Sequence, residues 1–247
     1  MSVSASRRTS ASVPIYKPDW PVVRLLAAHV SYALKRYARG TVLDVGCGAK
    51  PYAAVASNVD RWVGFDVPEN TSAELHGTAT NLPVGDQTVD TVLCTQVLEH
   101  VTAPEVVVHE LYRALRAGGV LVLTAPQYWA MHEKPNDYFR FTYFGLVYLL
   151  ETAGFEVIEV LREGTSVQIM GLALNFAVGE IGSRLPFYRS LWFNILKAPI
   201  YLVSNVLFFL VSKVLKNDDD VSNYTLVAKR PNEARQRVIS VSEIRPA

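Results

Sequence analysis

The sharpest chemical signal in the chain is Asp44-Val45-Gly46-Cys47-Gly48. It follows a short apolar run, and two glycines placed there let the backbone approach a ligand with no Cβ in the way. The acid at the strand end can reach an ammonium group or a hydrogen-bonded water. Asp66 closes the next apolar run, at about the spacing of an acid that receives both hydroxyls of a ribose, which says nucleoside without saying which one. A dinucleotide would call for a third glycine three residues past Gly48, and the chain has Pro51 there, so NAD binding loses ground.

A second stretch, from His132 to Thr142 (HEKPNDYFRFT), gathers an imidazole, two carboxylates and a guanidinium in the loop after the fifth expected strand. If an acceptor hydroxyl is to attack an electrophile, a base near neutrality helps, and His132 fits best. Asp137 would then orient it or bind hydroxyl groups. The plainer reading is a rigid lid in which Asp137 and Arg140 only pair. Glu99 and His100 stand at a helix start, where capping and packing account for them as well as a direct role does. The two cysteines, Cys47 and Cys94, lie in strand and turn patterns that suit neither a disulfide framework nor a metal cluster, and no metal is expected.

The elements that must hold these groups alternate. Apolar positions at helical spacing predict a helix from Trp20 to Arg39. Buried strands are expected at Thr41–Val45, Trp62–Asp66, Ala73–Thr80, Asp90–Cys94, Val120–Thr124, Phe155–Leu161 and Asn223–Ala228. Helices are expected from Pro104 to Arg116, with proline in the first turn, and from an N-cap at Thr142 to Gly154. Such alternation predicts a parallel sheet with helices on both faces and ligands beyond the carboxyl ends of the strands, which is where the motifs fall.

Half of the 247 residues are hydrophobic and the net charge is +1, a balance that excludes a mostly disordered chain and gives no electrostatic footprint for nucleic acid. Residues 1–18 and 231–247 read as disordered tails around a domain at 19–230. The cysteine usage and the lack of an apolar leader predict an intracellular protein.

Val42-Leu-Asp-Val-Gly-Cys-Gly48, Pro51-Tyr52, Val63-Gly-Phe-Asp66, Leu82-Pro83, Val97-Leu-Glu-His-Val101, Leu115-Arg-Ala-Gly-Gly119 and Ala153-Gly-Phe155 together resemble the successive motifs of class I methyltransferases of the type 11 group, over roughly residues 40–162 and the closing strand. The resemblance implies a Rossmann-like sheet of seven strands, the last antiparallel, with S-adenosyl-L-methionine across the first two. By it, Asp44, Gly46, Cys47 and Gly48 would hold the methionine end and Asp66 the ribose. Thr78, Ala79, Asn81 and Leu82 would hold the adenine, and Gln96 would border the sulfonium. Members commonly carry an Asp where this chain has Thr78, whose hydroxyl can still accept a hydrogen bond. The pattern from His132 to Thr142, like Pro51-Tyr52, resembles methyltransferases of bacterial cell-surface glycan pathways, which makes His132, Asp137, Arg140 and His100 the candidate catalytic groups.

The interval 163–222 is too long for a loop and predicts an inserted helical region. Between Leu191 and Leu215 it is nearly all apolar, yet its clean span is shorter than the roughly 20 residues that a crossing helix needs. Peripheral contact with a membrane, on the cytoplasmic face of an inner membrane, is one expectation, packing against the domain's own core or a second copy is another, and a true crossing is the third. Lys213 and Lys216 would suit anionic headgroups, whereas Asp218 to Asp220 would resist them. Three functions remain open: O-methylation of a glycan or lipid-linked saccharide, methylation of a small lipophilic metabolite, and a cofactor-binding scaffold at the membrane that catalyses nothing. The oligomeric state is not legible.

Overall fold

The computed structural model describes residues 13–184, 191–215 and 219–232. Its centre is a seven-stranded sheet of order β3-β2-β1-β4-β5-β7-β6. The strands are β1 (Gly40–Val45), β2 (Val59–Asp66), β3 (Leu75–His76), β4 (Val89–Thr95), β5 (Leu115–Pro126), β6 (Glu156–Glu163) and β7 (Asn223–Lys229). β7 lies antiparallel between β5 and β6, and the other pairings are parallel. This is the layered α/β architecture that the alternation predicts, with the seven strands and antiparallel last strand that the motif resemblance implies.

The helices divide by face. α1 (Trp20–Tyr37) buries Ala27, Val30, Ala33 and Leu34 against Val42, Leu93, Val122 and Val227. α2 (Pro104–Ala114) and α3 (Tyr143–Thr152) close the opposite face over Leu43, Val92, Leu121 and Leu226. The alternation along each strand sorts the two sets, since neighbouring side chains point to opposite sides. Thr142 caps α3 as expected, its Oγ accepting the Gly145 N–H at 3.1 Å. The connections from β1 to β2, β2 to β3 and β3 to β4 differ from the usual pattern, running through turns with no helix.

Several boundaries depart from expectation. The strand expected over 73–80 is only Leu75–His76, because the Glu74 carboxylate is tied to the Gly64 N–H and to Lys50, and Gly77 turns the chain away. β5 starts at Leu115, five residues early, pairing with Val89 before Gly118-Gly119. Residues 13–18, read as part of a disordered tail, are pinned: the Asn205 amide donates to the carbonyls of Ile15 and Lys17, and Asn175 donates to that of Pro18.

The insertion is a helical hairpin, α4 (Ser166–Ser183) and α5 (Leu191–Val214). Gly171 lets the helices meet closely, since a Cβ there would stand 2.8 Å from the ring of Phe208. Lys216 and Asp218, and the tail from residue 233, lie outside the described residues.

Candidate active site

The carboxyl ends of β1 and β2 form the first half. Gly46 and Gly48 have φ of +67° and +54°, the left-handed region in which a side chain is strained. The Gly46 and Cys47 N–H groups both donate to the Phe65 carbonyl, which ties the turn to β2. Asp66 lies across from it and accepts the N–H of Gly48 at 2.8 Å and that of Val67 at 2.8 Å. The Asn70 amide bridges the two sides, donating at 2.8 Å to the Gly48 carbonyl and at 2.8 Å to Asp66 Oδ2. Asp44 lies beneath, 1% exposed, and accepts the Trp62 indole N–H at 3.2 Å.

Beyond β3, Thr78 is exposed with its hydroxyl 3.1 Å from that of Thr80, Ala79 is half-buried and Asn81 is exposed. Leu82 is buried, and its N–H donates to Glu110 at 2.8 Å. Arg113 fastens this turn to α2 through the Leu82 and Val84 carbonyls, and Glu110 beside it is held below the usual carboxylate range chiefly by that guanidinium. Gln96 follows β4 with φ of +53°. Its side-chain amide donates to Thr124 at 3.0 Å and to Asn223 at 2.8 Å.

The second half is the loop from Gln127 to Thr142. Its two ends meet where the Phe141 N–H donates to the Pro126 carbonyl at 2.9 Å, so the loop is rooted at the carboxyl end of β5. Inside it, Asp137 takes Arg140 in a two-pronged ion pair at 2.7 and 2.8 Å. Asp137 also accepts the backbone N–H of His132 at 2.9 Å. Arg140 holds Asp137 far below the ordinary carboxylate range. Arg140 further donates to the carbonyls of Trp129 and Phe139. The pair is thus the brace that the lid reading expects. Asp137 is only a minor partner of the His132 ring, at 3.4 Å from Nδ1.

His132 Nδ1 is 3.2 Å from the Ala130 carbonyl, which can only accept, so the proton belongs on Nδ1 and the lone pair on Nε2. Burial, then the neighbouring His100, push the His132 pKa below its ordinary value and keep the ring neutral near neutrality. The rings of His100 and His132 meet edge to face at 4.7 Å, and His100 Nδ1 is bound to the Asn136 carbonyl at 2.6 Å. The structure therefore brings His100, His132, Asp137 and Arg140 into one cluster.

A family model described as a methyltransferase domain matches residues 43–123. A Mycolicibacterium smegmatis protein that carries the name of an S-adenosylmethionine-dependent methyltransferase is 29% identical over 216 residues, covering 79% of this chain and 84% of its own. The chain is an S-adenosylmethionine-dependent methyltransferase. Two solved structures share its fold. A SAM-dependent methyltransferase of Archaeoglobus fulgidus has a TM-score of 0.51 at 17% identity, over 82% of this chain and 93% of its own. Phosphoethanolamine N-methyltransferase 2 of Haemonchus contortus, solved with S-adenosyl-L-methionine, has a TM-score of 0.51 at 18% identity, over 92% of this chain and 58% of its own.

The methyltransferase's residues fit the cofactor. A turn with two left-handed glycines offers bare backbone, and a carboxylate fixed by backbone donors retains lone pairs for ribose hydroxyls. Asp44 is the exception to a simple reading, because its burial puts it under the turn with Trp62 rather than at its surface. The sequence reading missed Asn70, the clamp between turn and acid. An Asp with Asn four residues on, at the end of a strand, was the available signal.

Proposed function

We propose that this methyltransferase moves its methyl group to a hydroxyl oxygen of a lipid-linked saccharide, and that it does so as a peripheral protein on the cytoplasmic face of a membrane. The observation that carries the membrane part is the inverted polarity of the α4–α5 hairpin. Asn175 donates to Asn205 at 2.9 Å and Gln168 to Ser212 at 3.2 Å, so polar side chains join the helices from inside. Outside, Ile200, Val203, Leu207, Leu210 and Val214 make an exposed stripe on α5, with Val214 81% exposed. Met170, Leu174 and Ile181 do the same on α4. In water the opposite sorting is favoured, whereas in lipid polar glue inside and apolar surface outside is the stable arrangement. By length and composition alone the 18-residue segment Lys197–Val214 also passes as a crossing helix, longer than the clean span read from the sequence, and only 22% of it is buried.

The saccharide part is supported by a cavity of about 310 Å³ lined by Gln127, Tyr128, Ser166, Ile169, Asp220 and Val221. It opens between the foot of the loop and the start of β7, and its amide, hydroxyl, phenol and carboxylate offer hydrogen-bond partners to a hydroxyl-bearing ligand beside an apolar wall.

When bound, the cofactor supplies an electrophilic methyl group on a sulfonium. His132, with Nε2 unprotonated, takes the acceptor hydroxyl proton as oxygen attacks, and later returns it to solvent. Arg140 and Asp137 hold the loop that carries it and help to exclude water.

The test is incubation with methyl-labelled cofactor and separate lipid, polysaccharide and small-molecule fractions, alongside flotation with anionic vesicles. Label in the lipid fraction and co-flotation are expected. Label in the small-molecule fraction would favour the lipophilic-metabolite reading. A soluble dimer that fails to float would give the hairpin to a second copy.

A further inference from the structure

Glu163 ends β6 with its side chain fully buried. Its carboxylate accepts Thr225 Oγ at 2.6 Å and Asn223 Nδ2 at 2.7 Å, and His29 Nδ1 on α1 lies 2.9 Å away. Thr225 and Asn223 both donate, and His29 does so when its Nδ1 carries the proton, the arrangement that an anion requires when taken out of water. Asn223 passes the contact on, because its Oδ1 accepts the Gln96 amide at 2.8 Å. The second Gln96 amide hydrogen goes to Thr124 at 3.0 Å. The register explains the convergence: Asn223 pairs with both Pro126 and Glu163, and Thr225 with Thr124, so these side chains share the α1 face at the carboxyl end of the sheet.

We infer that the chain Glu163–Asn223–Gln96 makes the methyltransferase favour the cationic cofactor over its neutral demethylated product. An anion at one end of two amides in series polarises both in the same direction. Both amide hydrogens of Gln96 are used on the sheet, so the carbonyl Oε1 is the pole that this polarisation makes more negative. S-adenosylmethionine and S-adenosylhomocysteine differ beside Gln96 by a methyl group and one positive charge, and a more negative pole stabilises only the charged ligand. Glu163 is thus a positioning residue that acts through Asn223. The inference rests on the cofactor lying across the ends of β1 and β2 with its sulfur toward Gln96 at the end of β4.

Calorimetric titration of the full chain with each ligand tests it. In Glu163→Gln, affinity for S-adenosylmethionine should fall about tenfold while that for S-adenosylhomocysteine changes less than about twofold. Gln96→Leu, which leaves the buried carboxylate untouched, should lose the same selectivity, and combining the two should add little. Equal weakening of both ligands would mark a purely structural role and overturn the inference, as would an unchanged ratio in either folded variant. If the unaltered protein bound neither ligand, the cofactor reading would fall with it. Binding of both with no loss of ratio on substitution would overturn this inference alone.

Discussion

Asp66 Oδ2 accepts the backbone N–H of Gly48 at 2.8 Å, so the acid expected to receive the ribose also fixes the glycine turn beside it. Replacing Asp66 with Ala removes an anchor and a ligand together. Hydrogen bonds to a charged group contribute about 1.5–3 kcal/mol, which predicts cofactor affinity lower by roughly 10- to 100-fold. Asn70→Ala leaves the backbone donors in place and should cost less than tenfold. Calorimetry with S-adenosylhomocysteine reads both, and affinity unchanged in Asp66→Ala would remove the ribose assignment.

Gly48→Ala puts a side chain on a residue with φ of +54°. The left-handed conformation costs a residue with a Cβ about 1–2 kcal/mol, so melting should drop by about 2–8 °C. The same change at Gly46, with φ of +67°, should act alike. A thermal melt with no shift in either variant would show that the turn is not held in this shape.

The turn, Asp66 and the succession of strands along the chain were legible because each depends on local spacing: a buried strand, then glycine, then an acid at the next strand end. The buried contacts behind them were not. His29 and Glu163 are 134 residues apart in sequence, and only the placement of β7 between β5 and β6 brings Asn223 to both Glu163 and Gln96. Residues 13–18 were misread because their composition is that of a tail, while the donors that hold them, Asn175 and Asn205, lie far along the chain. The hairpin's apolar character was visible in the sequence. Its inversion was not, because a helix that is apolar nearly all round does not announce that Asn205 and Ser212 face inward.

Arg140→Lys keeps the charge and loses the fork. Asp137 now receives two parallel bonds from one guanidinium, and a lysine supplies a single point of contact with no match to the Trp129 and Phe139 carbonyls. The loop should loosen around His132 while the glycine turn stays intact. Turnover is expected to fall by about 10- to 100-fold, with cofactor affinity within about twofold of the parent. A variant that lost cofactor binding and kept turnover at saturation would show that the loop belongs to the cofactor half instead.

His132 gives a pH signature. A base must be unprotonated to act, so turnover should rise with pH through the His132 pKa and then level off. Burial, then His100, lowers that pKa from its ordinary value of 6.5, so the inflection should lie below 6.5. His100→Asn removes one of the influences that lower it and keeps a short polar side chain near the Asn136 carbonyl, so the inflection should move up toward the ordinary value while the plateau changes little. His132→Ala should abolish the inflection and lower the plateau by roughly 10²- to 10⁴-fold, the usual contribution of a general base, with cofactor affinity kept. A profile that stays flat from pH 5 to 8 in the parent, or an inflection that survives in His132→Ala, would take the proton-accepting role away from this imidazole and leave methyl transfer to positioning alone.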